Sequence, residues 1–94
     1  MGLYENDFCV VFTELLKKSG VSCYEISHFA HLDEAYLSRL RNGKKNNPSP
    51  EVIMRICLAV ARCSKKDKKV RLFDFEALFN AVGRSLFTAK SSSL

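Results

Sequence analysis

Between Ala35 and Pro50 the chain carries four cations, Arg39, Arg41, Lys44 and Lys45, and no acid. Asn42, Asn46 and Asn47 are interleaved with them. All of these side chains donate hydrogen bonds, and together they suit a row of anionic oxygens such as phosphates. A charge run taken alone is more often a solvated face. The segment just before this one adds a second chemistry. Glu34, Ala35, Tyr36, Ser38 and Arg39 fall on the polar side of a short amphipathic stretch. Arg39 can donate two parallel hydrogen bonds, which match O6 and N7 of a guanine and are worth about 1–3 kcal/mol of discrimination. Glu34 can accept from a cytosine amino group. Ala35 or the Tyr36 ring can touch a thymine methyl, and Ser38 can bond a base or a phosphate.

Other chemistries find less support. His28 and His31 stand at i, i+3, but no third ligand lies near them, so no metal site is expected. The four cysteines at 9, 23, 57 and 63 form no C-x-x-C pair, and neither histidine is spaced from them as in a zinc finger. They read as reduced thiols, with Cys57 on an apolar face and Cys23 exposed. There is no nucleophile–base pair, no glycine-rich phosphate loop and no pair of carboxylates at working spacing. Neither catalysis nor a cofactor is expected.

Short helices must position the donors. Ser22-Cys23-Tyr24-Glu25 is a capping box, with Ser22 as N-cap and Glu25 able to reach back to its N–H. It opens a helix over about 23–30 with Ile26 and Phe29 as its apolar stripe. His31-Leu32 makes a corner, with Leu32 plugging the angle between two helices. Asp33 caps a second helix over about 34–41, with Leu37 and Leu40 facing inward. Asn42-Gly43 ends it, because glycine accepts a left-handed backbone. Before this pair, Phe8, Val11, Phe12, Leu15 and Leu16 repeat as the core stripe of a helix over about 7–18, stopped at Ser19-Gly20. After it, Ser49-Pro50-Glu51 starts a helix over about 50–62 that buries Val52, Ile53, Ile56, Cys57 and Val60.

Two helices at a tight corner, the second polar on one side and followed by a basic loop, form the layout of a helix-turn-helix. Positions 12 to 61 resemble, without a gap, the phage repressor/Cro-type helix-turn-helix family, also called the xenobiotic-response-element family. The likeness is carried by Leu15-Leu16-Lys17-Lys18, by Ser19-Gly20-Val21-Ser22 and by the two-helix unit. Its most distinctive parts are Leu37-Ser38-Arg39-Leu40-Arg41-Asn42-Gly43-Lys44 and Pro48-Ser49-Pro50-Glu51. The family usually has Gln where this chain has Cys23, Ala where it has Ser27, and Gly where it has His31. The resemblance implies an all-α, lambda-repressor-like domain that binds double-stranded DNA. It implies base contacts from Glu34, Ala35 and Arg39, joined on chemical grounds by Tyr36 and Ser38. It places phosphate contacts at Cys23 and in the loop holding Asn42, Lys44, Lys45, Asn46 and Asn47.

With 94 residues, one domain is expected. A hydrophobic fraction of 47% excludes a disordered chain, and a formal net charge of +5 favours an anionic partner. Residues 1–62 read as the DNA-binding core, 63–71 as a basic linker and 88–94 as a disordered tail. Between them lies a fifth helix over about 72–87. Its stripe of Phe75, Leu78, Phe79, Val82 and Leu86 is more apolar than docking requires, which points to a homodimer interface, the alternative being that all of it is core. A sequence-specific transcriptional regulator follows, expected to be a dimeric repressor in the cytoplasm, with no membrane span and no export signal. Two alternatives keep the fold: an antitoxin that binds a toxin protein through the fifth helix, and an interaction module that has lost DNA binding.

Overall fold

The computed structural model describes residues 7–65 and 70–90, with side chains for 8–65 and 70–82. Five helices follow one another: α1 (Asp7–Ser19), α2 (Cys23–Ala30), α3 (Glu34–Asn42), α4 (Pro50–Cys63) and α5 (Leu72–Lys90). No strand occurs among the described residues. The fold is all-α, as the apolar periodicity requires. Three helices run one residue beyond the expected ends, and α5 runs to Lys90, three further. The rest of the expected tail, 91–94, lies outside the described residues, as do 66–69 of the basic linker.

The helix starts are set locally. Ser22 Oγ accepts from the Glu25 N–H at 3.1 Å, and Glu25 Oε1 accepts from the Ser22 N–H at 2.9 Å, which closes the capping box. Asp33 Oδ1 accepts from the Ala35 N–H at 3.4 Å, and Ser49 Oγ from the Val52 N–H at 3.2 Å. Such caps contribute about 0.5–2 kcal/mol each, by satisfying N–H groups that the helix ladder leaves open.

One core joins all five helices. Phe8, Phe12, Ile26, Leu37, Leu40, Ile53, Ile56, Val60 and Leu78 are its largest fully buried apolar side chains. The Phe8 and Phe12 rings meet at 5.6 Å. The α2 helix packs on α3 and α4, and α1 packs on α3 and α5. The α2–α3 pair is thus held from both sides. Ion pairs of 2.9 Å (Lys18–Asp74) and 2.8 Å (Lys65–Glu25) tie α1 to α5 and the segment just after α4 to α2.

Two expectations about the core are corrected. Phe29 is 41% exposed instead of lining the inner stripe. The buried stripe of α2 runs through Cys23, Ile26 and Ala30, and Phe29 lies about a quarter-turn off it. The apolar surplus assigned to α5 is also mostly spent within the chain. Leu78 is fully buried, Val82 is 6% exposed, and Phe75 and Phe79 pack against the core. Contact with α1 and α4 covers the described part of that stripe, so Leu78 and Val82 are not available to a second copy. Leu86 falls outside the described side chains. Among the described side chains of α5, the exposed large apolar groups are Leu72 and Phe73 at its start.

Candidate nucleic-acid interface

The corner between α2 and α3 depends on an unusual backbone. His31 caps α2 with φ 57° and ψ 45°, the left-handed region where glycine is at ease. The N–H groups of His31 and Leu32 both donate to the Ser27 carbonyl, the latter at 3.3 Å, which turns the chain sharply into Asp33. Leu32 packs against the core below the corner. The α3 helix therefore leaves α2 at a fixed angle, with Leu37 and Leu40 inward.

Its outer side bears most of the expected readers. Glu34, Ala35 and Arg39 are exposed, and Ser38 is half-buried. Glu34 and Ala35 in the first turn and Arg39 one turn later put an acceptor, a methyl group and a two-pronged donor along one face. Tyr36 departs from the expectation of an exposed residue. It is half-buried with its ring against the core, and burial raises the pKa of its hydroxyl.

The loop after α3 is pinned through its backbone. Gly43 ends the helix with φ 91°. Asn42 Oδ1 accepts from the Lys44 N–H at 3.3 Å, and the Lys45 N–H donates to the Arg39 carbonyl at 3.1 Å. Pro48 is buried and anchors the far end. Asn42, Lys44, Lys45, Asn46 and Asn47 are exposed, and no carboxylate pairs with either lysine among the described residues. The asparagine oxygen is spent on the loop, and its amide N–H groups remain donors.

Cys23 is the clear correction. It is 9% exposed and belongs to the core, where it shares a face with Ile26 and Ala30. Burial raises its thiol pKa, Arg41 offsets part of that rise and Glu34 adds to it. A buried neutral thiol makes no phosphate contact, so only the backbone N–H in the first turn of α2 stays suited to that role. Cys57 is buried as expected, and desolvation pushes its thiol up to about 11. Among the described residues, no group of three or more His, Cys, Asp or Glu side chains could hold a metal ion.

One set of positioning contacts has no sequence signal. Cys9 Sγ donates to the Arg41 carbonyl at 2.9 Å, and Thr13 Oγ1 donates to the same carbonyl at 3.4 Å. They fasten the last turn of α3 to α1 across separations of 32 and 28 residues. Cys9 and Thr13 share one face of α1 (i, i+4), but nothing in that spacing names their acceptor.

A short helix braced on both sides, turned outward at a capped corner and followed by a fixed basic loop defines a helix-turn-helix DNA-binding domain. Residues 12–61 match the family model of the Cro/C1-type HTH DNA-binding domain, and the chain belongs to that family. The match contains α2, α3, the basic loop and most of α4. No curated protein and no solved structure matches the chain. Among the described residues, no helix is long and apolar enough to cross a membrane.

Proposed function

We propose that this DNA-binding domain is a sequence-specific transcriptional regulator that represses by occupying a promoter. The observation that carries the reading is that Arg39 is exposed on α3 and is followed by a pinned loop whose Lys44 and Lys45 meet no carboxylate among the described residues. In this reading α3 lies in the major groove. Arg39 reads a guanine, Glu34 accepts from a cytosine amino group, and Ala35 touches a thymine methyl. Ser38 bonds a base or a phosphate. Asn42, Lys44, Lys45, Asn46 and Asn47 grip one strand's phosphates and set the register, which carries no sequence information of its own.

Three or four readers on one short helix specify only a few base pairs. Two copies on a palindromic site double that information, so we place the working species as two copies with half-sites about one helical turn apart.

Binding selection from a random-sequence duplex pool at moderate salt, followed by sequencing, tests the proposal. An enriched palindrome is the expected result. An enriched single half-site would remove the two-copy arrangement, and binding without enrichment would remove sequence reading by Arg39.

A further inference from the structure

The face of the molecule formed by α2 and α4 holds an apolar patch that DNA recognition does not use. Phe29 and Leu58 are 41% and 58% exposed, and together they wall two adjoining hollows. One hollow is completed by His31 and Arg55, the other by Ala61 and Arg62. Along α4, Leu58, Ala61 and Arg62 repeat at i, i+3, i+4, so the patch follows the helix axis.

The rim of this patch is cationic. The Arg62 guanidinium lies over the Phe29 ring at 5.8 Å, and no carboxylate pairs with it among the described residues. Arg55 reaches Glu51 at 3.0 Å in an exposed pair, which a better-placed carboxylate can replace at little cost. An apolar patch that follows a helix axis and is flanked by arginines is complementary to an amphipathic helix with large apolar residues on one side and acids beside them.

A second copy of the chain fits this patch poorly. A two-fold contact sets the patch against itself, which gathers Arg55 and Arg62 of both copies into one interface of a chain of net charge +5. We therefore propose that the Phe29–Leu58 seam, with Arg55 and Arg62, docks an acidic amphipathic helix of a partner protein. The site is separate from the DNA-reading residues and does not rest on their assignment.

The test uses the full chain, labelled with ¹⁵N, and a synthetic amphipathic peptide of about four helical turns. The peptide carries Leu and Phe on one face and Glu on both flanks; a control peptide has Lys in place of Glu. The acidic peptide is expected to shift the amide resonances of Phe29, Leu58, Ala61 and Arg62 saturably, and the lysine peptide is expected to leave them unmoved. Leu58→Ser and Arg62→Glu should each weaken the acidic peptide about tenfold and leave duplex-DNA affinity and the melting temperature near wild type. Equal binding of both peptides would overturn the charge argument. Shifts confined to residues 44–47 would mean that the peptide mimics DNA, and concentration-dependent shifts of the seam without peptide would assign it to a second copy. Either result, or no shift at all, overturns the proposal.

Discussion

Removing the ammonium groups of Lys44 and Lys45 tests whether the loop after α3 grips phosphates. Both side chains are exposed, and no carboxylate among the described residues pairs with them. The loop is held by their backbone N–H groups, donating to Asn42 Oδ1 and to the Arg39 carbonyl. Alanine keeps both N–H groups, so the loop should stand where it stood. Each phosphate contact contributes about 0.9 to the slope of log affinity against log salt, because a condensed counterion is released. Lys44→Ala should lower the slope by about 0.9, and the Lys44→Ala, Lys45→Ala pair by about 1.8. Over a fourfold rise in salt, from about 50 to about 200 mM, wild type then loses about 3.5-fold more affinity than the single variant and about 12-fold more than the double. Fluorescence anisotropy on one labelled duplex across that range reads the slopes directly. Arg62→Ala removes an equal charge from the α4 face and should leave the slope unchanged, which separates contact from net charge. The reasoning fails if the double variant keeps the wild-type slope, or if Arg62→Ala lowers it as much as Lys44→Ala does.

Three further outcomes are expected. Arg39→Ala should cost about 1–3 kcal/mol on the preferred duplex and little on a scrambled one, flattening one base preference in a selection; an equal loss on both duplexes would make Arg39 a phosphate contact only. His31→Gly should stabilise the fold by about 0.5–1 kcal/mol, since a non-glycine residue at φ 57° costs about 1–2 kcal/mol and glycine returns about 0.5–1 in the unfolded chain; a lower melting temperature would mean that His31 makes contacts worth more than its strain. For Asp74, burial alone would raise the pKa, but the Arg71 N–H and the Lys18 ammonium hold it below the ordinary value. The folded state then binds fewer protons than the unfolded one, so this contribution is present above about pH 4 and is lost as pH falls through the folded value. Asp74→Asn should lower stability at neutral pH and flatten the acid limb of a denaturation series; an unchanged acid limb would show that the ion pair carries no linkage.

The elements were legible in the sequence because their signals act within one turn of chain. Ser22 with Glu25, Asp33, Ser49 with Pro50, and Gly43 satisfy or end helices through neighbours two to four residues away, so residue type and spacing name them. The same holds for Phe12, Leu37, Leu40 and Ile56, whose helical repeat leaves one face to bury. Arg39, Lys44 and Lys45 were legible as donors by composition, and the family likeness placed them beside one another.

What tertiary structure decided was which surface covers which face. Periodicity says that a side of a helix is apolar, not what lies against it. The buried stripe of α2 runs through Cys23, not Phe29, because α3 and α4 close on that side; the thiol is thereby withdrawn from the surface and Phe29 is left on it. The stripe of α5 reads as surplus in a linear chain, and its described part, Phe75 to Val82, packs on the core once α1 and α4 lie upon it. Cys9 and Thr13 meet the Arg41 carbonyl only because two distant segments fold together. Local hydrogen-bonding needs are written in adjacent residues; the burial of a given side chain is a property of the partner that arrives, and only the assembled fold contains it.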